Sequence, residues 1–242
     1  MAIRIVDVED AAGFGLIPPC ADPAFDHRTC DYWEDADRGS KARRSVSGLP
    51  VAPSAPKPAL ADNPFAPAPK APTFNPFLDD DDDEPENPFL PRRAPLKPSL
   101  TPDAPRKLAL LTRGIGVFGT YAKVLLDGDE AVAYTQFGPL SAYPRALRLR
   151  DLYPKLPASP LPAVITCVAT TSDARDRGLA KLLVAAVCED LGRRGFAAVE
   201  AYPETHTRPD ATSAAAPVFW EAVGFHLAAA DERFPVYRRE LE

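Results

Sequence analysis

Ala163-Val164-Ile165-Thr166-Cys167-Val168-Ala169-Thr170, followed by Thr171-Ser172-Asp173 and then Arg175-Asp176-Arg177-Gly178-Leu179-Ala180-Lys181, is the stretch on which the fold turns. An uninterrupted run of small and branched apolar residues without a charge predicts a strand buried on both faces. Beyond Gly178, the residues Leu179, Leu182, Leu183, Ala186, Val187 and Leu191 recur at i, i+3, i+4 and i+7, which predicts an amphipathic helix. Gly192 and Gly195 bracket its end, and Phe196 to Tyr202 reads as the next strand. The unit is therefore strand, glycine-containing turn, helix, strand. Its turn presents unpaired backbone N–H groups at a helix amino terminus, which carries a partial positive charge and binds phosphate without a dedicated side chain. Arg175 and Arg177 add two formal charges beside it. An ordinary strand-to-helix turn with solvated arginines has the same local signature, because a lone Gly178 is weaker than a complete phosphate-loop motif.

Working outward from this unit, Lys107 to Leu111 predicts a helical start that Gly114 and Gly116 end early. Thr120 to Leu126 and Ala131 to Phe137 are β-rich runs joined by Leu126-Asp127-Gly128-Asp129, a hairpin signal. Gly138 to Pro162 is rich in proline and arginine without a clean period. It reads as a long surface loop with one helical turn near Leu147 to Leu152. Phe234 to Leu241 reads as the last strand.

The amino-terminal part differs in composition. Sixteen prolines and no glycine occur in the fifty-six residues from Pro50 to Pro105. Such a segment lacks backbone donors and cannot bury enough apolar surface to offset the entropy of ordering. Residues 46–104 are therefore expected to be a disordered, acidic insert. Charge divides along the same line: residues 1–105 carry eleven Lys/Arg against eighteen Asp/Glu, whereas 106–242 carry seventeen against sixteen. A near-neutral folded part with an acidic tether argues against nucleic-acid binding. No window of about 18 uncharged apolar residues is present, which argues against a membrane protein. Asp7, Glu9 and Asp10 precede any apolar stretch of signal-peptide length, so a cytoplasmic location is expected. The cysteines Cys20, Cys30, Cys167 and Cys188 are too few and scattered for a disulfide framework. Cys20, His27 and Cys30 could be drawn as metal ligands, but no second close-spaced pair accompanies them, and the cysteines read as reduced thiols packed as small hydrophobes. No metal is expected.

Arg175-x-x-Gly178-x-Ala180 resembles the Q/R-x-x-G-x-G/A motif of the GNAT superfamily of acetyl-CoA-dependent N-acetyltransferases, at the same strand-to-helix junction. Forty residues on, Ala216-Pro217-Val218-Phe219-Trp220-Glu221-Ala222-Val223-Gly224-Phe225 is similar to the family's A-x-x-x-Y-E-x-x-G-F stretch. Ile3-Arg4-Ile5-Val6, with the acidic residues after it, resembles the first strand and helix start of such enzymes. Cys20 and Thr29-Cys30-Asp31-Tyr32-Trp33-Glu34 resemble a C…C-x-Y-W-E stretch of a bacterial branch. The resemblance implies an α/β fold with a mixed, mostly antiparallel central sheet flanked by helices. Residues 1–45 would supply its amino-terminal strand and helix, 46–104 the insert, and 106–242 the main acetyltransferase domain.

It also implies acetyl-CoA as co-substrate and an amine as acceptor. Backbone groups of Val168, Ala169 and Thr170 would pair with the pantetheine arm, and Arg175, Asp176, Arg177, Gly178, Leu179, Ala180 and Lys181 would surround the pyrophosphate. Ser213 stands where the family often has asparagine, and Trp220 where it often has a tyrosine proposed as general acid. Phe196, Ala198, Glu200 and Tyr202 share one strand face, so Glu200 is the first candidate base with Tyr202 beside it; Glu204 and His206 follow. Two other readings stay open: a GNAT fold that binds cofactor without transfer and acts through its tether, and a scaffold with no cofactor. The acceptor is not legible. Asn63-Pro64-Phe65, Asn75-Pro76-Phe77 and Asn87-Pro88-Phe89 recur every twelve residues, either by chance in a biased segment or as a multivalent ligand for a protein partner.

Overall fold

A computed structural model describes residues 2–19, 26–37, 39, 106–205 and 216–242. The insert 46–104 with its Asn-Pro-Phe copies, Cys20, His206 and Ser213 lie outside the described residues. Seven strands form one sheet: β1 (Ile3–Asp7), β2 (Ala122–Asp127), β3 (Glu130–Pro139), β4 (Ala163–Thr170), β5 (Ala198–Ala201), β6 (His226–Ala229) and β7 (Val236–Glu240), in the order β1-β2-β3-β4-β5-β7-β6. Only β4 and β5 run parallel; the other neighbours are antiparallel. The mixed, mostly antiparallel sheet flanked by helices that the resemblance implied is what the chain forms. Ile3 of the amino-terminal strand sits opposite Asp127, so residues on either side of the proline-rich segment share one sheet.

Alternation along the strands fills both faces. On one, Leu125, Ala133, Ile165 and Val199 pack under α4 (Leu179–Arg193) and the short α5 (Pro217–Ala222). On the other, Val124, Leu126, Tyr134, Val164 and Tyr202 pack under α1 (Ala11–Gly15), α2 (Arg106–Phe118) and α3 (Pro144–Arg150). The α4 stripe is Leu179, Leu183, Val184, Val187, Cys188 and Leu191; Leu182, assigned to it by periodicity, is half exposed.

Two expectations are corrected. The helix at Lys107 does not end at Gly114 but runs to Phe118. Gly114 is present for proximity: a Cβ there would overlap the Tyr121 hydroxyl. The segment Gly138 to Pro162 is not a surface loop. β3 extends into it, and Leu140, Tyr143 and Ala146 are fully buried. Pro144 starts α3 at its first position, where a missing N–H costs nothing, and the Tyr143 hydroxyl donates to the Phe137 carbonyl at 2.8 Å.

The Trp220-to-Phe225 stretch closes α5. Gly224 is left-handed at φ +85°, and the Phe225 N–H reaches back to the Trp220 carbonyl at 3.0 Å. The Phe225 and Trp220 rings meet edge-on with centroids 4.9 Å apart, the apolar contact that accompanies such a helix stop. Trp220 is 1% exposed, and its indole N–H has no hydrogen-bond partner among the described residues.

Candidate functional site

β4 pairs with β3 along its full length, from Ala163 to Thr170, but with β5 only at Ala163, Val164 and Ile165. Past Ile165 the parallel strands part. The register opposite β3 jumps from Cys167 to Ile165, leaving Thr166 as an extra residue, so β4 carries a bulge where it leaves β5. The Thr171 N–H bonds the Val132 carbonyl on β3 at 2.9 Å. By strand alternation the amides of Val168 and Thr170, out of phase with Thr171, face the parting edge. Open α/β sheets take ligands outside the carboxyl ends of such strands. Of the three strand residues implied for pantetheine, Val168 is buried, whereas Ala169 and Thr170 are half-buried toward the opening.

The turn after β4 leads from the opening to α4. Ser172–Ala174 makes one tight turn, with Ala174 buried as its anchor. Asp176 at φ 60° and Gly178 at φ +76° then adopt left-handed conformations on either side of Arg177. α4 starts with no side-chain cap among the described residues, which leaves its first amides, around Leu179, Ala180 and Lys181, as donors for a ligand. Arg175, Asp176, Arg177, Gly178 and Lys181 are exposed, Ala180 is half-buried, and Leu179 is buried in the core. Arg177 donates to Asp127 at 2.7 Å, which ties the turn to the β2–β3 hairpin.

Glu200 is 0% exposed and does not face an open cleft. Its carboxylate accepts from Arg150 Nε at 3.0 Å, Arg238 Nη1 at 2.7 Å and the Tyr202 hydroxyl at 2.7 Å. The carboxylate is thus enclosed by two guanidinium groups and a phenol, and an incoming amine would have to displace them to reach it. Burial, with the Glu200 charge second, holds the Tyr202 hydroxyl far above the usual phenol range, so it stays a neutral donor. Glu204 is mostly buried and accepts from Arg233 at 2.9 and 3.0 Å.

On the opposite side of β4 lies a polar cluster that sequence reasoning did not assemble. Cys167 Sγ stands 3.4 Å from His27 Nδ1, Lys107 donates to the His27 carbonyl at 2.8 Å, and the Tyr134 hydroxyl donates to Gln136 at 2.8 Å. Gln136 in turn donates to Glu34. Glu34 ends the Cys-x-Tyr-Trp-Glu stretch and His27 lies three residues before it, which is the available signal; their partners on β3, β4 and α2 are remote in sequence. Burial, and then the Lys107 charge, lowers the His27 pKa from 6.5 to about 3. The unfolded chain therefore takes up this proton near pH 6.5 and the folded chain only near 3. His27's contribution is complete above the upper value and falls as pH drops through the window, by about 2–3 kcal/mol between pH 7 and 4.5. Urea unfolding at those two pH values is expected to show that loss, and His27→Gln is expected to reduce it.

No family model matches the sequence, and no curated protein matches it. Solved structures that align with the chain include three acetyltransferases. One is a GNAT-family acetyltransferase candidate from Desulfovibrio desulfuricans, at 20% identity over 60% of this chain and 86% of that one, with a TM-score of 0.41. Another is the ribosomal-protein-S18-alanine N-acetyltransferase of Escherichia coli, at 16% identity over 50% and 66%, with a TM-score of 0.32. The third is a streptothricin acetyltransferase candidate from Bacillus anthracis solved with acetyl coenzyme A, at 12% identity over 50% and 62%, with a TM-score of 0.35.

Proposed function

We propose that the chain is a GNAT-type N-acetyltransferase that binds acetyl-CoA where β4 and β5 part and passes the acetyl group directly to an amine. The observation that carries this reading is the coincidence of two sets of unused backbone donors. Among the described residues the β4 edge beyond Ile165 has no partner strand on its β5 side, and the uncapped start of α4 follows it across one turn. The edge suits an amide-bearing arm and the helix start suits a pyrophosphate. The glycine at 178 supports both the left-handed turn and a close approach, since the position where its Cβ would stand faces open space.

Bound acetyl-CoA would supply the thioester that the amine attacks. The Val168 amide would polarise the thioester carbonyl, and the α4 amides with Arg175 would hold the phosphates. Arg177 would hold the turn in place through Asp127. An attacking amine must shed a proton, and the Glu200 carboxylate, fully buried and already accepting from Arg150, Arg238 and Tyr202, is not presented to it. We assign that proton to water or to the Glu204–His206 segment instead. A thiol of pKa near 8.5 leaves without full protonation, which removes the need for a tyrosine at position 220.

Thermal denaturation with acetyl-CoA at 100 times its dissociation constant is expected to show about 2.7 kcal/mol of stabilisation. Free-thiol release across a panel of small amines and peptides then separates the readings. Stabilisation with release supports transfer, stabilisation without release supports a binding protein, and neither would contradict the assignment.

A further inference from the structure

We infer that the Glu200–Arg238 pair is a positioning element that fixes where β4 and β5 part, and so sets the width of the cofactor cleft; this inference rests on the cleft proposed above. Glu200 and Arg238 stand directly opposite each other in the β5–β7 ladder, so their 2.7 Å contact runs across the strands. It lies one residue before Ala201, where pairing between β5 and β4 ends. Both side chains are at least nine-tenths buried. The pair holds one geometry, because β5 and β7 cannot shift without separating two charges that water does not reach; Arg238 also donates to Glu240 on its own strand at 2.7 Å. β4 stays with β3 through Thr170, while β5 is held to β7 by this pair; the two strands are drawn to opposite sides of the opening.

The second arginine has another task. Arg150 reaches Glu200 from the end of α3, over the face of the sheet, and also donates to the Pro157 carbonyl at 2.6 Å. It secures the segment between α3 and β4 and does not pull β5 sideways. The two arginines therefore make separable contributions, although either one removed leaves Glu200 with a single cationic partner.

Arg238→Leu and Arg150→Leu test this. Both are expected to lower the melting temperature. Only Arg238→Leu is expected to weaken acetyl-CoA binding, about 10-fold, and to cost turnover as the thioester is displaced, since misplacement by about 1 Å can cost up to 10²-fold. Arg238→Lys, which keeps the charge across the strands, is expected to restore most of the affinity. Hydrogen exchange on the cofactor-free protein gives a readout independent of the ligand: amides of 198–201 and 163–165 are expected to exchange faster in Arg238→Leu than in Arg150→Leu. Affinity that follows melting temperature equally in both variants, or equal exchange in both, overturns the inference. A wild-type protein that does not bind acetyl-CoA overturns the proposed function, while the exchange comparison still decides the positioning role.

Discussion

Glu200→Gln is expected to lower the stability of the protein by about 3–5 kcal/mol, the cost of breaking a buried ion pair by removing one partner. Arg150 and Arg238 converge on this carboxylate from α3 and β7, and all three side chains are 8% exposed or less. Glutamine keeps the shape but presents an amide that can accept from only one oxygen. Arg150 then has no carboxylate partner among the described residues, whereas Arg238 keeps Glu240 at 2.7 Å. The Tyr202 hydroxyl also loses part of its acceptor. If Glu200 were instead a free base in the cleft, the same substitution would leave stability nearly unchanged and lower turnover by about 10²–10⁴, most strongly below the pKa of the amine. Equilibrium unfolding in urea, with the pH–rate profile of any folded fraction, separates the two outcomes.

Trp220→Ala is expected to cost about 3–5 kcal/mol, as deletion of a fully buried large aromatic does. Trp220→Phe is expected to cost less than about 1.5 kcal/mol. The indole packs against Phe225 and Phe219 and lies in the same cluster as Val184, Val187 and Leu191, so alanine opens a cavity beneath α4. Phenylalanine keeps most of the apolar contact and removes an N–H that is buried without a partner among the described residues. An indole N–H is also no proton donor at neutral pH. Turnover in Trp220→Phe is accordingly expected to stay within about threefold of wild type, because its proton inventory is unchanged. Calorimetric melting of the two variants gives the stabilities, and thiol release gives the rate; a Trp220→Phe protein that folds normally but has lost transfer would return position 220 to the chemistry.

The parts of the fold that were legible in the sequence are those fixed by neighbours along the chain. The β4 run, the α4 stripe and the Asp-Gly hairpin carry periods and turn residues that act locally, and they form as expected. The bulge at Thr166 was not legible, because nothing in Ala163 to Thr170 interrupts the apolar run. A bulge is a property of the pairing with β3, which lies about thirty residues away. The same holds for Glu200, whose arginine partners stand 50 and 38 residues distant. Alternation placed Glu200 and Tyr202 on one face, but alternation does not say what lies over that face. Gly114 was misread for a related reason. A glycine weakens a helix locally, and only the approach of Tyr121 explains why the helix carries one there and continues. The composition of 138–162 is that of surface loops, whereas Leu140, Tyr143 and Ala146 are the residues that bury it.

The claim on which the functional account depends is that the turn into α4 holds the phosphates of acetyl-CoA. Calorimetric titration of acetyl-CoA into wild type and Gly178→Val tests it most directly. Valine at a left-handed φ is strained, and its side chain would project into the open space that the proposed phosphate site requires. Gly178 is exposed, and the core beneath is supplied by Leu179 and Ala174, so the variant is expected to remain folded by circular dichroism. Saturable binding to wild type is expected, with loss of about 10²-fold or more in affinity in Gly178→Val, equivalent to at least about 2.7 kcal/mol. Unchanged affinity in a folded Gly178→Val protein would contradict the claim.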